Sequence, residues 1–175
     1  MRYPSGLRGQ SAKLLFAGSN PARTSKNMNQ EKPREVVSLV FHRDGKLLLE
    51  QRLDEGVFKN RWTFTGGKVE EVDYESDDYI MAASVRESGE ETGLIPEEIE
   101  VFDNFVMTTL NGQTYEYHAV YVRNFSGVVQ NREAGRRNIE WVGEGIEADL
   151  LLEGDHVNTK IIGEFRDFMS KKESQ

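Results

Sequence analysis

Apolar and polar positions fall into blocks whose period changes along the chain. Val36-Val37-Ser38-Leu39-Val40-Phe41 is a β-type run, and Lys46-Leu47-Leu48-Leu49-Glu50-Gln51-Arg52 reads as a returning strand after the turn Arg43-Asp44-Gly45. Asp-Gly at that turn is among the strongest short hairpin signals. A mostly polar loop over 53–61 leads to a short strand, Trp62-Thr63-Phe64, which Gly66-Gly67 is expected to break. The period then becomes helical. Ser76 is the expected N-cap, with Asp77 and Asp78 in a first turn that favours acids. The helix runs to about Thr92, with Gly93 as its C′ residue and Pro96 just beyond. Two long β-type stretches follow, Ile99 to Thr109 and Thr114 to Phe125, with Asn111-Gly112 between them as a hairpin turn. Asn138 to Val142 alternates as a further short strand. A last amphipathic helix covers about Asn158 to Ser170, with Ile161, Ile162, Phe165, Phe168 and Met169 on one face. Interleaved strands and helices predict an α/β sandwich around a mixed β-sheet.

The first 27 residues do not share this patterning. Apart from Leu14-Leu15-Phe16 they lack apolar periodicity, and their Pro, Gly, Ser and Asn content reads as unstructured. A basic, Ser-containing, acid-free leader of this kind is compatible with a transit peptide. Gly18-Ser19-Asn20-Pro21, however, is what ggt-tcg-aat-ccn encodes, a string resembling the T arm of a transfer-RNA gene. The expectation is therefore that residues 1–27 are a disordered or mis-read leader, that Met28 is the true start, and that 28–175 form the domain.

Charge sharpens the division. Residues 1–30 carry Arg2, Arg8, Lys13, Arg23 and Lys26 and no acid, a sum of +5, whereas 31–175 carry 17 basic and 30 acidic residues, a sum of -13. An acidic body argues against a protein that holds nucleic acid by its phosphates, and admits anionic substrates only where cations mediate. No apolar run approaches the ~18 residues needed to span a bilayer. There is no cysteine, which excludes disulfides and thiolate metal sites and suits a cytoplasmic location. His42, His118 and His156 are scattered without zinc spacing.

The segment richest in chemistry is Arg86-Glu87-Ser88-Gly89-Glu90-Glu91-Thr92-Gly93-Leu94. On a helix, Glu87, Glu90 and Glu91 stand at i, i+3 and i+4 and share one face. Like charges at this spacing cost ~0.2–0.5 kcal/mol per pair. They also lie at the negative end of the helix dipole, and Gly89 adds ~1 kcal/mol relative to Ala. Acids alone would read as a solvated helix end. Several local rules broken together, between upstream glycines and Gly93, point instead to a divalent-cation site. Arg86, four residues before Glu90, is placed to orient one of these carboxylates.

These residues resemble the Nudix box, G-x5-E-x7-R-E-U-x-E-E-x-G-U, where U is aliphatic. Trp62-Thr63-Phe64-Thr65-Gly66-Gly67-Lys68-Val69-Glu70 is similar to the family's W-x-F-P-G-G-K-x-E lead-in, and Leu47 to Arg52 to its L-L-x-Q-R strand. The likeness spans about 28–175. Ser88 replaces the aliphatic residue, and Thr65 replaces the usual Pro. Counting back from Arg86 puts the first acid of the box on Asp78, and counting forward from Gly67 puts it on Asp73. The loop before the helix is about five residues longer than the pattern, and the early acid is open between these two.

The resemblance implies a Nudix-type α/β/α sandwich and a Mg²⁺-dependent hydrolase, with Mn²⁺ as alternative metal, that cleaves a diphosphate linkage in a small nucleotide. By position, Arg86, Glu87, Glu90 and Glu91 are its catalytic residues. Metal ligands would be the carbonyl of Gly66 together with Glu87, Glu90, Glu91 and, on a later loop, Glu133, with Glu140 second. Arg52 and Lys68 match phosphate-contacting positions, and Trp141 a base-side tryptophan, whereas Trp62 suits core packing and His118 a structural role. The branch most similar is the mutator-type nucleoside triphosphate pyrophosphohydrolase, with oxidised purine nucleotides one substrate class. An ADP-ribose or dinucleotide pyrophosphatase and a non-catalytic nucleotide-binding module are the alternatives. No nucleic acid or membrane partner is expected, and the oligomeric state would be monomer or homodimer.

Overall fold

The computed structural model describes residues 32–53, 59–108, 112–132, 135–143 and 156–174. The leader 1–27, Glu133 and Asn111 lie outside the described residues. Strands β1 (Arg34–Arg43) and β2 (Lys46–Arg52) form the expected hairpin. Asp44 and Gly45 have φ of 53° and 68°, the paired positive values that a tight two-residue turn needs. After β3 (Trp62–Thr63) and β4 (Thr65–Lys68), a 3-10 turn at Asp73–Glu75 precedes helix α1 (Tyr79–Glu91). The long strands β5 (Ile95–Thr108) and β6 (Thr114–Ser126), then β7 (Arg137–Gly143) and helix α2 (His156–Glu173), complete the chain order.

The sheet is mixed. Its main path runs β3-β2-β1-β6-β5, with β4 paired to β1 and β7 to β2. β1 lies parallel to β6 and antiparallel to β4. Alternation along β1 divides the core. Val37, Leu39 and Phe41 pack with Ile80, Ala83 and Leu94 on the α1 side. Val40 packs with Ile161, Ile162 and Phe165 on the α2 side. This is the expected sandwich, with one helix over each face among the described residues.

Three local expectations need correction. Gly66-Gly67 does not break the chain: both sit inside β4, paired with Ser38 and Val37. The helix begins later than expected, because Asp78 rather than Ser76 is its N-cap, its carboxylate accepting from the Met81 amide at 2.9 Å. β5 starts at Ile95 and takes in Pro96, which a strand at the end of the sheet order tolerates, and register shifts follow Pro96, Glu98 and Val101. Gly93 ends α1 as foreseen, with φ of 74°.

Beneath the inserted turn lies a buried polar knot. Glu35 meets Lys32 Nζ at 2.7 Å and His118 Nε2 at 3.2 Å, and His118 Nδ1 lies 2.7 Å from Asn104 Oδ1. Burial pushes the Glu35 carboxyl up, but hydrogen bonds from Lys32, Tyr79, His118 and Tyr74 outweigh it and hold it at about 2. This folded value lies below the ordinary 4.5, so the stabilisation is full above pH ~4.5 and drains away as pH falls towards 2. It amounts to roughly 3 kcal/mol at neutral pH. Urea midpoints measured from pH 6 to pH 2 are expected to fall steeply in the native chain and less so in Glu35→Gln. Parallel curves for the two would contradict this assignment.

Candidate active site

Helix α1 turns Glu87 and Glu91 towards the sheet, and two arginines hold them apart. Arg86 is the hub of the first group. Its Nη2 and Nε donate to the two oxygens of Asp73 at 2.8 and 3.1 Å, its Nη2 also to the Lys68 carbonyl at 2.7 Å, and its Nη1 to Glu87 Oε1 at 2.8 Å. A fork of this kind fixes a guanidinium in one orientation. Asp73 is buried. Desolvation opposes its charge, but Arg86 and the Glu70 amide hold its carboxyl below the usual range. Asp73 also raises the Arg86 pKa, so this pair is charged throughout the physiological range. The ambiguity over the early acid is thereby resolved in space. Asp73 reaches Arg86, Asp78 caps the helix, and the added residues lie between them.

Glu87 faces Gly67. A Cβ at Gly67 would stand 2.5 Å from the Glu87 carboxylate, so glycine lets that side chain lie against β4 in this rotamer. Burial, the largest effect, pushes the Glu87 carboxyl up; Arg86 opposes this, while Glu90 and Glu70 add repulsion. Glu90 remains exposed, 3.8 Å from Arg86 Nη1. Ser88, where an aliphatic residue was expected, is buried and closes the helix end: its hydroxyl donates to the Leu94 carbonyl at 2.9 Å.

Glu91 points into a second group. It is buried, accepts from the Gly66 amide at 3.1 Å, and stands 2.5 Å from Arg137 Nη1. The same nitrogen lies 2.5 Å from Glu50 Oε2. Burial, then the charge of Glu50, pushes the Glu91 carboxyl well above the ordinary carboxylate range, against the pull of Arg137 and Gly66. The sequence reading missed both Glu50 and Arg137. Glu50 ends a leucine run and hides as the variable position of its strand. Arg137 becomes relevant only through the pairing of β2 with β7.

Strand alternation locates the remaining candidates. Opposed residues of an antiparallel pair share a face. Leu48 packs on the α1 side, so Glu50, Arg52, Arg137 and Trp141 face that side too. Arg52 is half-buried and directly opposite Arg137. Lys68 opposes Val36, so its side chain leaves from the face opposite that of Gly67; only its carbonyl reaches Arg86. Glu140 alternates away from Arg137 and bonds Asn138 at 2.7 Å. Trp141 lies four residues from Arg137, about 13 Å along a strand. Its ring stacks on Phe125, and the Arg43 guanidinium lies over both rings. Trp62 packs against the α2-side core, as expected, and His118 is structural.

The NUDIX domain profile matches residues 31–154. The chain belongs to the NUDIX family. The CTP pyrophosphohydrolase of Escherichia coli K12 is 35% identical over 99 residues, which cover 57% of this chain and 69% of that protein. The solution structure of the E. coli ORF135 protein superposes with TM-score 0.62 at 26% identity, covering 81% of this chain and 96% of that one. A MutT NUDIX hydrolase from Burkholderia pseudomallei superposes with the same TM-score at 23% identity, covering 77% and 98%, and supports the fold. The chain is a Nudix pyrophosphohydrolase. No helix among the described residues is long and apolar enough to cross a membrane.

Nudix proteins typically use a divalent metal. Among the described residues, no three acidic or imidazole side chains converge as a ready-made metal cage. Arg86 and Arg137 draw Glu87 and Glu91 to separate partners instead. The donor set nevertheless fits a hard cation. It consists of carboxylate oxygens, and Glu50 Oε1 is buried without a partner beside it.

Proposed function

We propose that this Nudix enzyme is a Mg²⁺-dependent nucleoside triphosphate pyrophosphohydrolase. The observation that carries this is the complete set Arg86, Glu87, Glu90 and Glu91 on α1, seated against the glycines of β4 by Asp73 and Arg137. A non-catalytic module would have no need to keep three acids at this cost. Glu87, Glu90 and Glu91, with the Gly66 carbonyl, would hold the metal, and Mn²⁺ would serve in place of Mg²⁺. Bound there, the ion would neutralise phosphate charge and acidify an attacking water.

The protein's own part is positional. Arg86 holds Glu87 at a fixed rotamer while Asp73 neutralises the guanidinium from its other side. Glu87, its carboxyl raised by burial, is the group suited to take a proton from the incoming water. Arg52, on the same sheet face, is the phosphate contact the geometry favours over Lys68. Substrate choice is supported by the relative: CTP is the first nucleotide to test, ahead of oxidised purines, because Trp141 is engaged by Phe125.

The test is a product assay by mass spectrometry over nucleoside triphosphates, oxidised purine nucleotides, ADP-ribose and dinucleotides, with Mg²⁺ and with chelator. The expected result is metal-dependent release of a nucleoside monophosphate from a triphosphate, pyrimidine substrates first. Turnover confined to ADP-ribose or dinucleotides would replace the triphosphate reading.

A further inference from the structure

The site so far described leaves one buried acid unused. Glu50 is fully shielded from solvent in β2, where a carboxylate is costly unless paired and hydrogen-bonded. Its pairing is incomplete. Oε2 accepts from Arg137 Nη1, and Oε1 has no partner. A guanidinium serving Glu50 alone would be expected to engage both oxygens as a fork. Here one nitrogen stands 2.5 Å from Glu50 Oε2 and 2.5 Å from Glu91 Oε1. It bridges two acids, and their facing oxygens are no more than twice that distance apart. A small hard cation bound at ~2.0–2.1 Å from each oxygen needs such a pair after a modest closure. The bare Oε1 offers a further ligand atom at the same place.

We propose that Glu50 is a ligand of the divalent-cation site together with Glu91, and that the Arg137 guanidinium is the resident cation the metal displaces. The inference rests on the reading of Glu91 as a metal ligand. It accounts for a buried acid in a strand whose other buried residues are all leucines. It also accounts for the cross-strand neighbours Arg52 and Arg137, two like charges on one face. Their repulsion is tolerable while acids hold one of them, and once released Arg137 stands beside Arg52 where an anion would be welcome.

A structural ion pair and a displaceable one differ in sign. Mn²⁺ is titrated into the full chain, and free Mn²⁺ is followed by electron paramagnetic resonance, for the native protein, Glu50→Gln, Arg137→Gln and Glu91→Gln. Loss of a ligand is expected to weaken Mn²⁺ binding at least about tenfold in Glu50→Gln, whereas loss of the competing cation strengthens it about tenfold in Arg137→Gln. If the pair is merely structural, Glu50→Gln binds Mn²⁺ as the native chain does, or Arg137→Gln binds it no more tightly. Either result overturns the proposal. Weakening in Glu91→Gln alone would leave the metal site standing and remove only Glu50 from it. Native affinity in Glu91→Gln would remove both. Should Glu50→Gln fail to fold, the apolar pair Glu50→Leu with Arg137→Met, which leaves no buried charge unpaired, is compared with Arg137→Gln and is expected to bind Mn²⁺ at least about tenfold more weakly than that single variant; equal binding by the two overturns the proposal.

Discussion

Replacing Glu91 by Gln is expected to lower kcat for nucleotide hydrolysis by about 10³-fold or more while leaving the fold intact. A metal-bound phosphoryl site supplies several kcal/mol of transition-state stabilisation, and each ~1.4 kcal/mol is a factor of ten. The amide keeps the size of the carboxylate, and its single oxygen can still accept from either Gly66 or Arg137, which meet different oxygens of Glu91. It also removes the repulsion between two buried acids that share one guanidinium. The relieved repulsion offsets the lost hydrogen bond, so thermal stability measured in chelator is expected to change little while activity disappears. Activity within tenfold of native would show that Glu91 does not hold the catalytic ion. A large loss of stability in chelator would show that the charge on Glu91 is needed for the fold instead.

The largest effect on stability is expected at Gly66. A Cβ there would lie 2.1 Å from the Val37 carbonyl oxygen and 3.0 Å from the Val37 carbonyl carbon. These are backbone atoms of the central strand β1, which cannot swing aside as a long side chain would. The residue also sits at φ 146°, where L side chains are strained. Backbone strain and overpacking together predict that Gly66→Ala costs roughly 3–5 kcal/mol. Gly45 is the control. It too has a positive φ but meets nothing within 4 Å, so Gly45→Ala should cost only about 1–2 kcal/mol. Urea unfolding of the two variants beside the native chain measures both. Equal losses would mean that conformation alone, and not the approach of β4 to β1, demands glycine at 66.

That close approach marks where the sequence stopped being legible. Leu47 to Arg52, Thr114 to Phe125 and the amphipathic helix near the C-terminus followed from period and turn chemistry, because each is a local pattern with one apolar face. Gly66-Gly67 looked like a break because glycine has weak strand preference; its strand exists through contact with Val37 and Glu87, residues distant in sequence. The box acids were legible as a conflict: three like charges at the wrong end of a helix need a cation. What those acids meet was not legible. Asp73 and Asp78 are equivalent on paper, and only the path of the inserted turn gives one to Arg86 and the other to the helix cap. Arg137 reaches Glu91 because β7 returns beside β2, a pairing no local pattern announces. The surroundings of Trp141 were not legible for a related reason, since its partners Phe125 and Arg43 come from two other strands.

The insertion that blurred the box register has a structural counterpart. It carries Tyr74, whose ring lies tilted against Tyr79 at 5.0 Å between centroids and whose hydroxyl helps bind Glu35. The extra residues thus cover a buried polar knot at the start of α1, while Asp73 keeps its grip on Arg86 at the other end of the loop.

On the proposed function, the acids of α1 run metal-dependent cleavage between the α- and β-phosphates of a nucleoside triphosphate. The most direct measurement is phosphorus NMR of CTP incubated with the native chain and with a Glu90→Gln, Glu91→Gln double variant, each in Mg²⁺ and in chelator. CMP and pyrophosphate are expected from the native chain with Mg²⁺ alone, and unchanged CTP in the other three samples. CDP with inorganic phosphate, or equal turnover by the double variant, would contradict it.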